Sequence, residues 1–310
     1  MNGSVRRPRL PKHWHGGKTL LGLLAGWLVG PGLAWSAPIT LNTAMPVAEN
    51  EFIFREQFVS WKFDENPTQR NREVFVAESL LGYGITRDFA LFGVLPYLDQ
   101  SLEQVQAGAL RDRGASGLGD LALFGRYTVF RKDWRGRTFR LAPFLGVEIP
   151  TGEDDETDRF GRLPPSLQPG SGSADPFAGM VVTYSTLDFQ MDGQVSYKGN
   201  TEANDFEFGD VARLDASLQY RLWPPSLKGR IHGFAYVVLE SNFIYEDNNQ
   251  TNGGEDPNSG GSSWFLLPGI QYVTRRWVIE AGVQIPVIQD LHGTALETDY
   301  TFRGGFRFNF

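Results

Sequence analysis

The chain ends Tyr300-Thr301-Phe302-Arg303-Gly304-Gly305-Phe306-Arg307-Phe308-Asn309-Phe310. Taken two at a time, Tyr300, Phe302, Phe306, Phe308 and Phe310 fall on one side, and Thr301, Arg303, Arg307 and Asn309 fall on the other. A period of two belongs to a pleated strand, whose successive side chains point to opposite faces; a helix would group residues three and four apart. The same parity recurs upstream. Trp277, Ile279, Ala281, Val283, Ile285 and Val287 oppose Glu280, Gly282 and Gln284, and Ala212, Leu214, Ala216, Leu218, Tyr220 and Leu222 oppose Arg213, Asp215, Ser217, Gln219 and Arg221.

A soluble sandwich and a membrane barrel share this pattern and differ in which face is enclosed. Length and turn spacing decide between them. Strands are expected over 51–63, 73–86, 89–103, 117–131, 137–150, 175–186, 188–199, 206–222, 230–246, 263–274, 276–289 and 297–310. Most are about twelve to seventeen residues long, against about five or six for a globular strand and roughly nine to eleven for a tilted membrane crossing. Short connections such as Arg87-Asp88, Thr186-Leu187 and Thr274-Arg275 alternate with longer polar ones at 64–72, 104–116, 151–174, 199–205, 247–262 and 290–296. The expected fold is all-β, a transmembrane antiparallel β-barrel of about twelve strands with N- and C-termini periplasmic and the long loops outside. The Phe-terminated tail resembles the C-terminal signal of outer-membrane barrels, so Phe302, Phe306, Phe308 and Phe310 are the expected membrane-insertion signal, addressed to the barrel-assembly machinery.

The organisation expected is a signal peptide over 1–36, a periplasmic N-terminal segment over 37–50 and the barrel over 51–310. Arg6, Arg7, Arg9, Lys12 and Lys18 precede an apolar run from Thr19 that ends in small residues at Ala34-Trp35-Ser36, with no acid before residue 37. This is the charged, apolar and small-residue order of a cleavable leader. Of 29 basic residues five lie in it, leaving 24 against 36 acids, a formal charge of −12 that argues against nucleic acid as a partner. The chain has no cysteine, which excludes disulfides and thiolate metal sites. No cofactor and no metal is expected: Glu153-Asp154-Asp155-Glu156 with Asp158 reads as a solvated acidic loop. The partners expected are outer-membrane lipid and lipopolysaccharide, with a small-molecule solute.

Gly117-Leu118-Gly119-Asp120-Leu121-Ala122 matches a dinucleotide fingerprint, but a polar loop precedes it and an alternating strand follows, so the match is false in context. The longer stretch Gly-Leu-Gly-Asp-Leu-Ala-Leu-Phe-Gly-Arg-Tyr at 117–127, with Leu-Ala-Pro-Phe-Leu-Gly-Val-Glu-Ile-Pro-Thr-Gly at 141–152, resembles a known barrel family. This is the outer-membrane transporter family associated with the meta pathway of phenol degradation. The resemblance implies an outer-membrane location and the passage of small compounds, aromatic or hydrophobic ones among them.

On strand parity the enclosed face carries Asp120, Arg126, Glu148, Asp192, Arg213, Asp215, Glu280, Arg303 and Arg307. Two readings follow. The first is a passive channel whose charged walls orient a solute, with these residues along its path. The alternative is a non-conducting structural or surface-interaction barrel, its lumen filled by its own side chains. An enzyme is not expected: His232 and His292 are the only histidines after residue 37, the parity of Ile231, Gly233 and Ala235 places His232 inward near the short turns, and His292 has no obvious serine partner.

Overall fold

In hydrocarbon no water can take up an unpaired backbone N–H or C=O, so long strands must be paired along both edges. The computed structural model describes residues 36–64, 69–106, 109–227 and 232–310. The expected leader lies outside these, Ser36 excepted. Among the described residues twelve strands build one wall: β1 (Phe52–Phe63), β2 (Gln69–Gly84), β3 (Phe89–Gln106), β4, β5 (Arg137–Ile149), β6 (Asp175–Thr186), β7 (Phe189–Lys198), β8 (Val211–Trp223), β9 (Phe234–Glu246), β10 (Gly261–Val273), β11 (Trp277–Leu291) and β12 (Thr298–Asn309). β4 is in three pieces, Ala109–Leu118, Leu121–Tyr127 and Phe130–Trp134.

Each strand pairs antiparallel with its neighbour in chain order. β1 then pairs with β12 from Ile53↔Asn309 to Lys62↔Tyr300, which seals the ring. Phe52 N donates to Phe310 O at 2.6 Å and Phe310 N to Phe52 O at 2.9 Å, so the wall begins and ends at one level. That level is the end carrying the short connections, the periplasmic side in bacterial barrels. No helix among the described residues is long and apolar enough to span a membrane; the crossing is made by strands.

The exposed face is apolar and the enclosed face polar, the reverse of a water-soluble fold. Leu145 is 68% exposed and Ile270 66%, and Leu91, Leu123, Leu214 and Val283 join them around the outside. Gln190, Gln219, Glu240 and Asn242 are fully buried. Water would penalise that exposed apolar belt, whereas lipid accepts it. At the seam, aromatic rings of the closing strands meet, Phe52 with Phe310 at 5.7 Å and Phe54 with Phe306 at 6.2 Å between centroids.

One expectation changes. Within 104–116, expected as a loop, residues 104–106 and 109–116 are strand, since β3 and β4 continue as one ladder through Leu102↔Arg113 and Glu103↔Asp112. A hairpin that projects beyond the bilayer has no lipid face, so the polar run Arg111-Asp112-Arg113 carries no apolar alternation to betray it. The expected periplasmic N-terminal segment, 37–50, is held by the barrel over most of its length. Residues 37–47 run inside the barrel, with Ile39, Leu41, Ala44, Met45 and Val47 buried.

Candidate functional site

The inserted segment passes round the inner wall and is fastened strand by strand. Gln271 of β10 donates to Ala37 O. Glu240 of β9 accepts from Ile39 N at 2.6 Å and Thr40 N at 2.9 Å, and from the Thr40 and Ser217 hydroxyls. Gln194 of β7 accepts from Asn42 N at 3.0 Å, and the Thr183 hydroxyl of β6 from Ala44 N at 2.7 Å. Arg126 of β4 donates to Met45 O at 2.8 Å, and Asn50 N to Gly84 O at 2.8 Å. An extended chain has no helix or ladder of its own to satisfy its N–H groups, and buried donors must be paired. The wall supplies the acceptors.

The lumen has two sectors. From β3 to β6 it is aromatic: Phe92 stacks on Phe124 at 4.8 Å, and Phe144 and Phe177 pack edgewise on Phe124. Val47 of the inserted segment closes this cluster. Room for the rings comes from Gly146 and Gly179, where an added Cβ would lie 2.5 Å from Phe177 and 2.4 Å from Phe144. The remaining wall is polar. Asp192 accepts from Thr183 and Gln190, and Asp215 from Asn242 at 2.9 Å and Arg213 at 3.2 Å.

The residues singled out by parity separate into four settings. Glu280 holds Arg55 and accepts from Gln271 at 2.9 Å, while Arg303 donates to Gln284 and lies 5.6 Å from the Trp61 ring centroid. These, with Asp192, Arg213 and Asp215, belong to the polar sector. Arg126 and Arg307 border a cavity beside the inserted segment. Glu148 pairs with Lys198 at 3.2 Å near the strand ends. Asp120 instead holds the outer loop, accepting from Gly152 N at 2.9 Å and from Ser171 N and Oγ at 2.7 Å. Parity alone missed Glu240 and Arg55, although an acid at 240 inside the apolar run Val237-Val238-Leu239 was a visible signal.

The 151–174 loop, in which Glu153-Asp154-Asp155-Glu156 with Asp158 is expected to be solvated, is partly folded. Leu163 and Leu167 pack on Leu102, and Gln168 accepts from Glu156 N and donates to Glu156 O. Arg113 grips Asp158 through two nitrogens, at 2.7 and 3.0 Å. That guanidinium bond, stronger than the opposing cost of desolvation, holds the Asp158 carboxyl below its usual range. The grip is therefore complete above the unfolded pKa, about 3.9, and is lost as pH falls through the still lower folded value. Amide protection over 157–163, taken relative to intrinsic exchange at each pH, is expected to fall only in that acid window, and Arg113→Gln to lower it already at pH 7. Equal exchange in both proteins at pH 7 would show that the pair fastens nothing.

An enclosed polar lumen, an apolar belt facing outward and a sealed ring define an outer-membrane β-barrel. The sequence profile of the family described as "Putative MetA-pathway of phenol degradation" matches residues 69–290, and the chain belongs to that family. The fold is similar to an outer membrane channel from Pseudomonas putida F1, with TM-score 0.62 at 12% identity, over 86% of this chain and 97% of that one. The β domain of the Bordetella autotransporter BrkA matches at TM-score 0.48 and 12% identity, over 84% of this chain and all 100% of its own. No curated protein is similar enough in sequence to count as a relative.

Proposed function

We propose that the barrel is a narrow passive channel for small organic compounds, aromatic and hydrophobic ones among them, and that segment 37–47 sets its bore. The observation that carries this is the cavity of about 280 Å³ left between the segment and the wall, lined by Phe92 and Leu80 together with Arg55, Arg126 and Arg307. Membership of a family described by phenol degradation agrees with it, as does the fold shared with an outer membrane channel. Outer-membrane lipid and lipopolysaccharide surround the belt in this reading, and the barrel-assembly machinery reads Phe302, Phe306, Phe308 and Phe310.

The reading is of a non-enzyme. His292 engages Asn248, Nδ1 to Oδ1 at 2.6 Å, and His232 is exposed beside a short connection rather than turned inward. Neither meets the base-and-nucleophile arrangement that hydrolysis needs.

The pairing of so many lumen groups favours a second reading, a closed structural barrel that presents its outer loops. Planar-bilayer recording separates the two. Small unitary steps are expected, with ion selectivity altered in Arg213→Ser; silence from folded, fully inserted protein would leave the closed barrel.

A further inference from the structure

The cavity beside the inserted segment lies where the aromatic sector meets the polar one. Its walls come from Met45 and Val47 of the segment and from Ile53, Leu80 and Phe92 of the barrel. Three guanidinium groups reach it, those of Arg55, Arg126 and Arg307, against one lining carboxylate, Glu51. Arg55 is already matched, with Glu280 at 2.5 Å. Arg126 is not matched in this way. It is only 6% exposed, and its contacts are the Met45 carbonyl at 2.8 Å and the Phe92 ring, 4.7 Å from guanidinium carbon to centroid.

Two acids of the polar sector are committed elsewhere. Glu280 is held by Arg55, Gln271 and Gln57, and Asp192 by Thr183 and Gln190. A buried cation whose partners are a carbonyl and an aromatic face is under-compensated, because a dipole and a ring replace hydration less well than an anion does. An anion entering the cavity would make the missing charge-assisted bond at Arg126. Beside Arg126 the wall is apolar at Phe92, Leu80, Met45 and Val47, so the part of that molecule lying there should be apolar also. The volume lies near the lower end of ligand pockets, roughly 300 Å³, which limits it to a compact body.

We propose that this cavity binds a small amphiphilic monoanion, a single aromatic ring or short aliphatic chain bearing one carboxylate, with the carboxylate on Arg126 and the apolar body against Phe92 and Leu80. The inference rests on reading the lumen as a passage, since it names the class of solute held there. Its test is an equilibrium measurement that does not depend on conduction.

Benzoate and benzamide share one shape and differ in charge. Each is titrated calorimetrically into the full barrel in phospholipid nanodiscs. Benzoate is expected to bind at least tenfold tighter than benzamide. Arg126→Gln should weaken benzoate by about 10- to 100-fold, the loss of one charge-assisted bond, and leave benzamide unchanged. Arg126→Lys should recover part of it. Should Arg126→Gln fail to fold, Leu80→Trp serves in its place: it fills the cavity with every cation intact and should abolish benzoate binding. The proposal is overturned if benzoate binds no better than benzamide, or binds Arg126→Gln or Leu80→Trp as it binds the parent. Unitary conductance without benzoate selectivity would sink this inference alone; selective binding in a barrel that never conducts would sink the passage and keep the site.

Discussion

Deletion of residues 38–46 is expected to raise unitary conductance on the order of tenfold, because the obstruction is a separate piece of chain and not part of the wall. Barrels of about eight strands are filled by their own side chains, and those of sixteen or more enclose water-filled channels. A ring of twelve lies between, with space that its inward side chains do not fill. Here the extra filling comes from Ile39, Ala44, Met45 and Val47, all buried. None of the pairings between β1 and β2 or between β1 and β12 involves residues 38–46, so the ring can close without them. Single-channel recording checks this, with the β-sheet circular dichroism of the deletion variant as the folding control. A folded deletion variant with the parent's conductance would mean that the segment does not limit the bore.

Glu240→Ala should release the same segment without shortening the chain. The Glu240 side chain is on a residue with no solvent exposure, and its two oxygens receive two backbone donors, Ile39 N and Thr40 N, as well as two hydroxyls. Removing the carboxylate leaves those N–H groups buried without a partner, about 1–3 kcal/mol each and so roughly 2–6 kcal/mol together. The loss falls on the segment rather than on the ladders, so the expected signature is local. Amide exchange at 39–44 should quicken strongly, current should flicker, and exchange in the strand ladders should hardly change. Glu240→Gln keeps one carbonyl acceptor and should lie between. If exchange at 39–44 is as slow in Glu240→Ala as in the parent, the anchor lies elsewhere.

How much of this was legible in the amino-acid order depended on whether two faces of a strand differ. Where lipid meets one face and a polar lumen the other, as in Trp277–Leu291 and Thr298–Asn309, parity alone located the strand and assigned its sides. In Phe89-Ala90-Leu91-Phe92-Gly93-Val94 both faces are apolar, so nothing in the order distinguishes Phe92, which faces inward, from Leu91, which is exposed. The interior aromatic cluster was invisible for that reason. The inserted segment was hidden more deeply, since Ile39, Thr40, Asn42 and Ala44 are held through backbone N–H groups that every non-proline residue possesses. Side-chain identity could not reveal them. Asp120 shows the limit of parity from the other direction: its position was readable, and its use as a clamp on Gly152 and Ser171 was not.

The mutual backbone bonds between Phe52 and Phe310 tie the first wall residue to the last. Were β12 unpaired from β1, two bare strand margins would face each other across a slit, at the very place where the occluding stretch turns into β1. Closure of the cylinder and capture of the stretch that blocks it thus converge on one junction. An unsealed ring would offer the membrane a sticky open sheet instead of a stopper in a finished bottle.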